Sequence, residues 1–140
     1  MPVSIREQLI QKITETVGGL YDIPAPTDER EYPVTIVRDR PEVAADDQYG
    51  VSNREIPVAI GRGAASASTV RAEQRAEANE LLADLVTEMF ADEGFTSLAD
   101  GLEYTGGGIQ VEVGKFVIAE AQFIVRYHTV RGDPYTIDEE

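Results

Sequence analysis

Phe116-Val-Ile-Ala-Glu-Ala-Gln-Phe-Ile-Val-Arg-Tyr-His-Thr-Val130 is the stretch on which the fold turns. Its odd positions, Val117, Ala119, Ala121, Phe123, Val125 and Tyr127, are apolar without a break. Its even positions are mixed: Phe116, Ile118 and Ile124 stand among Glu120, Gln122, Arg126 and His128. A period of two belongs to a β-strand, whose side chains point alternately to the two faces of a sheet. The stretch therefore predicts one long strand with a core-facing side. Its other side is too apolar for plain solvent and too polar for a core. Single exposed apolar residues are common, so Ile118 and Ile124 have an ordinary reading. The functional reading makes Ile118, Glu120, Ile124 and Arg126 a candidate subunit interface, with the isoleucines as its apolar centre.

Upstream, Gly114-Lys115 predicts a two-residue hairpin turn. Ile109, Val111 and Val113, alternating with Gln110 and Glu112, supply the partner strand. The preceding segment, Asp100 to Gly108, ends in three glycines and reads as a turn region. Downstream, Arg131-Gly132-Asp133-Pro134 stops the long strand as a β-turn. The acidic end, Asp138-Glu139-Glu140, is expected to fray.

The N-terminal half opens with a capping box, Ser4 and Glu7. Ile5, Leu9, Ile13 and Val17, with Ile10 beside them, make one apolar helical face, and Gly18-Gly19 ends it. This predicts a helix over residues 4–17. Pro24, Pro26 and Pro33 mark a loop, and Val34 to Arg38 a short strand. The 17 residues from Asp39 to Glu55 are hydrophilic and predict a long, mobile connection. Ile56 to Ile60 is a half-buried strand. Ser68 or Thr69 caps a second helix running to Phe90 or Asp92. Leu81, Leu82, Leu85, Val86, Met89 and Phe90 form its apolar stripe. Its first half is polar nearly all round, and is expected to project from the core or to meet another chain. The order α-β-β-α-β-β predicts a single domain over residues 1–140. The class is α+β, a mixed or antiparallel four-stranded sheet flanked by two helices.

The chain has 140 residues, one modest domain. Twelve basic residues against 26 acidic ones give a net charge of −14. Such a field repels nucleic acid and anionic membranes and opposes self-association except through specific contacts. The chain has no cysteine, which excludes disulfides, thiolate metal sites and cysteine nucleophiles. No signal peptide and no spanning segment is evident, which predicts an intracellular protein. His128 is the only histidine; a triad or a histidine metal site needs further partners nearby, none of which the sequence places beside it, so it reads as a lone polar residue at the edge of the sheet. Asp46-Asp47 near Gly50 lacks the alternating spacing of a calcium loop. Gly106-Gly107-Gly108 precedes a strand and lacks the lysine and hydroxyl of a phosphate loop. Carboxylates are plentiful, but no spacing singles out a catalytic pair. The expectation is a protein that is not an enzyme and holds no cofactor or metal.

The element order, the closing segment from Ala121 to Tyr135 and the strand entry from Gly101 to Val111 together resemble tail terminator and related minor tail proteins of long-tailed bacteriophages. The likeness spans nearly the whole chain. It is strongest over residues 101–136 and loosest over 39–55. It implies a virion protein, assembled in the host cytoplasm, that forms a homo-hexameric ring on the tail tube. In that family the ring stops polymerisation of the major tail tube protein and offers a surface for the head-completion or connector protein. DNA passes through the bore without specific binding, and no catalytic residues are implied. On this reading the loop holding Asp46 and Asp47 is a candidate tube- or bore-facing element. The alternatives are another neck, head–tail joining or minor tail component and, ranked lower, a small-molecule binding module. A hydrolase using two carboxylates ranks lower again.

Overall fold

The computed structural model describes residues 3–23, 33–44, 50–66, 68–91, 99–112 and 116–135. The elements run α1 (Ile5–Thr16), β1 (Leu20–Tyr21), β2 (Val34–Asp39), β3 (Val43–Ala44), β4 (Val51–Ala65), α2 (Arg71–Ala91), β5 (Gly101–Glu112) and β6 (Phe116–Val130). The class is α+β, with two helices on a six-stranded sheet. The sheet runs β1-β2-β4-β6-β5, with β3 on β4 beside β2. Every pairing is antiparallel except β1 with β2. The four-strand expectation is thus corrected to six, because two two-residue strands flank β2. The expected Gly114-Lys115 turn, the loop at Pro24 and Pro26 and the acidic end at 138–140 lie outside the described residues.

Strand β6 follows the alternation of its sequence. Val117, Ala119, Ala121, Phe123, Val125 and Tyr127 are buried, and no even position is. Cross-strand register puts Ile56, Val58 and Ile60 of β4 on the same inner face. Helices α1 and α2 lie over that face. Ile5, Leu9, Ile10 and Ile13 from α1, and Leu85 and Met89 from α2, complete one core.

The ends of α1 obey their residues. Ser4 Oγ accepts the Glu7 amide at 3.2 Å. At the other end, Gly18 takes φ +62, and the Gly18 and Gly19 amides donate to the carbonyls of Glu15 and Thr14. This is a Schellman stop, whose left-handed residue glycine accommodates without strain.

Three further expectations need correction. Residues 39–55 are not one long loop. β3 pairs with Arg54 and Glu55, and β4 already begins at Val51. β4 reaches that length because all 15 of its residues pair with β6. Pro57 marks where β2 gives way to β3: its carbonyl takes the Arg40 amide at 2.9 Å, and proline offers no donor to continue the ladder. Second, the glycine run 106–108 is no turn but lies inside β5, with a bulge between Tyr104 and Gly106. A Cβ on Gly107 would come within 2.9 Å of the Glu120 carbonyl oxygen, a backbone atom that cannot give way, so strand pairing requires that glycine. Third, the first half of α2 is anchored, since Gln74 and Ala78 are fully buried.

A charged cluster closes one end of the core. Arg6 pairs with Asp39 and Glu42, the Tyr21 hydroxyl donates to Asp39, and the Tyr127 hydroxyl donates to Glu42. Burial, and then the bond to Glu42, push the Tyr127 phenol well above the ordinary tyrosine range. The bond to Asp39 pushes Tyr21 up to about 12. Burial alone would raise Asp39, but hydrogen bonds from Tyr21 and Arg6 outweigh it and hold the carboxyl below its usual value.

The signs set two limits. The unfolded phenols lose their protons near pH 10, while the folded ones keep them. Stability contributed by the tyrosines is therefore complete below about pH 10 and falls as pH rises through the folded values. Asp39 contributes fully above about pH 4 and loses its share as pH falls further. Urea midpoints measured against pH should fall on both flanks, and Tyr127→Phe should flatten the alkaline one. An alkaline flank unchanged in that variant would show that Tyr127 is not its source.

Candidate functional site

Both helices cover one face of the sheet, so the candidate site is the other face. Its centre is the even side of β6. Ile118, Ile124, Arg126 and His128 are half-buried there, and Glu120 and Gln122 are exposed. Register sets the rows across this face: Pro57, Ile124 and Glu103; Ala59, Gln122 and Gly106; Gly61, Glu120 and Gly108; Gly63, Ile118 and Gln110. Gln122 and Glu120 on β6 thus stand between glycines and alanine on both neighbours, which leaves hollows. One, of about 460 Å³, is lined by Gly106 to Gln110, Ile118, Glu120 and Gln122. A second, of about 160 Å³, is lined by Arg40, Pro57, Ala59, Thr105, Gln122 and Ile124 among others. They share Gln122 and form one shallow trough.

The charged residues on this face fall into two kinds. Arg126 is engaged within the chain: its Nη2 donates to Glu103 at 2.7 Å and its Nε to Glu55 at 3.2 Å. Those bonds, with Glu103 first, hold its guanidinium charge above the ordinary arginine range. Arg126 therefore clasps β4, β6 and β5 together. By contrast, among the described residues no cation lies within ion-pair distance of Glu120, and no carboxylate lies within that distance of Arg40. Among the described residues, Glu120 takes only a long contact from Gln122 Nε2, at 3.5 Å.

His128 is not the lone edge residue the sequence suggested. β6 lies between β4 and β5, and His128 Nδ1 faces the Asp100 carboxylate at 2.7 Å. Asp100 is held in turn by its amide bond to the Arg126 carbonyl at 2.7 Å. Nothing in the sequence flagged this pair, because Asp100 sat in a segment read as a turn. Asp46 and Asp47 lie outside the described residues. Among the described residues no group of three or more metal-ligating side chains converges, and no helix is long and apolar enough to cross a membrane.

Ile118, Glu120, Ile124 and Arg126, expected from the sequence as a candidate interface, lie together on the outer face of β6. The sequence did not single out Arg40 and Gly108, which line the trough, or Gly61, which register sets beside Glu120. The sequence matches no model of a known protein family and no characterised relative.

Proposed function

We propose that this chain is a structural assembly subunit of the tail-terminator type. Its copies close into a ring on the end of a phage tail tube, stop further addition of the tube protein and offer a surface to the head-completion protein. One observation carries the reading: the sheet is covered by helices on one face, while the other holds an open trough with half-buried isoleucines and charges that no described residue pairs. Half-covered isoleucines beside an unpaired carboxylate suit a protein contact better than water. The charge of −14 points the same way, since it disfavours random aggregation and would line a bore with the sign that repels DNA phosphate. A tube grows by heterologous addition, each ring exposing the surface the next one binds, and a terminator must bind without offering that surface again.

The test is tube length. Tail tube protein of the same virus is polymerised with and without this chain and viewed by electron microscopy. Short tubes with a ring at one end are the expected result, and tubes of unchanged length with bare ends would overturn it. Rings that form but leave tube length unchanged would favour another neck or head–tail joining component. The 460 Å³ hollow is large enough for a small ligand. It is open, however, and has no aromatic side chain in its lining, so the binding-module reading ranks below assembly.

A further inference from the structure

We infer that the trough is filled by the exposed side of α2 from a second copy of this chain, so that each subunit's helix docks on the next subunit's sheet. This rests on the ring reading above and names the two surfaces that meet.

The first argument is space. Gly61 and Gly108 flank Glu120 across the sheet, yet the subunit itself does not require either. Neither takes a positive φ. Among the described residues, a Cβ on Gly108 would meet nothing within 4 Å, and one on Gly61 only the Ala119 carbonyl at 4.0 Å. Glycine weakens a strand interior and is found there where another backbone approaches closely. No described residue of the subunit makes that approach at Gly108 or Gly61, which leaves room for a backbone that comes from a second copy.

The second argument is charge. Among the described residues, the trough holds an anion without an ion-pair partner, Glu120, and a cation without one, Arg40. The far side of α2 carries exposed Ala72, Ala76 and Ala83, with the uncharged Asn79 between them on the same stripe. The alanines are small enough to let the helix backbone sit close to a glycine-lined sheet. Arg75 borders that side, and among the described residues no carboxylate lies within ion-pair distance of it. Glu80 and Asp84 border it opposite. A helix laid in the trough therefore brings an arginine to Glu120 and a carboxylate to Arg40. A chain of this net charge needs such cross-pairing to associate at all.

The third argument is symmetry. α2 packs on the inner face, so its exposed side and the trough point away from each other. A contact between them joins two different surfaces, and so propagates head to tail until a ring closes.

The absence of native cysteine makes a direct test possible. Ala76→Cys and Gly108→Cys are made separately, mixed, and oxidised. The mixture is expected to give a covalent dimer, and the double variant a ladder ending in a closed species. Glu15→Cys in place of Ala76→Cys is the control. Independently, Glu120→Arg alone and Arg75→Glu alone should each weaken association at least about tenfold. Mixing those two should restore it, because each then meets its opposite charge. If wild type assembles but the cysteine mixture gives no more dimer than the control, the helix is not the occupant and the ring reading stands. The same conclusion follows if neither reversal weakens association. If wild type stays monomeric both alone and with tube protein, the ring reading fails and this inference with it.

Discussion

Phe123→Ala is expected to cost about 3–5 kcal/mol of folding stability, the largest loss from any single truncation in this chain. Phe123 is 1% exposed and stands at the middle of β6. Its ring centroid lies 5.6 Å from that of Tyr104 and 6.2 Å from that of Phe90, both at tilted angles that favour aromatic contact. Across β4 it stands beside Val58. Truncation removes contacts on every side and leaves a cavity that paired strands cannot close by moving. Against a total stability of roughly 5–15 kcal/mol for a domain, that loss takes the variant close to the threshold of folding. Urea unfolding followed by circular dichroism reads the effect as a lowered midpoint with an unchanged slope. A loss under about 1 kcal/mol would mean that Phe123 is not the core residue its burial implies.

Phe123 was legible in the sequence because β6 alternates without interruption and its inner residues are all apolar. The start of β4 was not. Its inner positions there, Ser52 and Arg54, are polar, and the segment reads as loop. Ser52 is nonetheless buried, and Arg54 reaches Glu42. What makes Val51 to Glu55 a strand is the partner already waiting in β6, a non-local fact that no local pattern carries. The first part of β5, Gly101 to Gly108, hid for the same reason: glycine has low strand propensity, yet Gly107 is required where the Glu120 carbonyl of β6 comes close. The buried first half of α2 rests on Gln74 and Ala78, residues too small or too polar to register as an apolar stripe. The same divide runs through the candidate site. Ile118 and Ile124 stood out because they break a polar pattern. That Arg126 is held by Glu55 and Glu103 while Glu120 is left alone follows only from which side chains register sets beside them.

Ile124→Asp should leave the fold intact and abolish assembly. Ile124 directly follows Phe123 but points to the opposite face, half-buried between Pro57 and Glu103. An aspartate there keeps a carboxylate within reach of solvent, so the monomer loses roughly 1 kcal/mol of strand preference and packing. In an assembly the same residue would be covered. Each contact would then lose roughly 1–3 kcal/mol of isoleucine burial and would also carry the cost of burying a charge beside Glu103. That loss recurs at every interface of a closed ring, so a modest local change has a large collective effect. The variant is scored twice, by circular dichroism for the fold and by electron microscopy for rings and capped tubes. A folded chain without rings is the expected outcome. Rings of normal size would make the outer face of β6 ordinary solvent surface and remove the trough from the assembly. A variant that fails to fold while Phe123→Ala folds normally would mean that the two faces of β6 have been assigned the wrong way round. Two consecutive residues thus decide between a core and an interface, because a strand sends neighbours to opposite sides of its sheet.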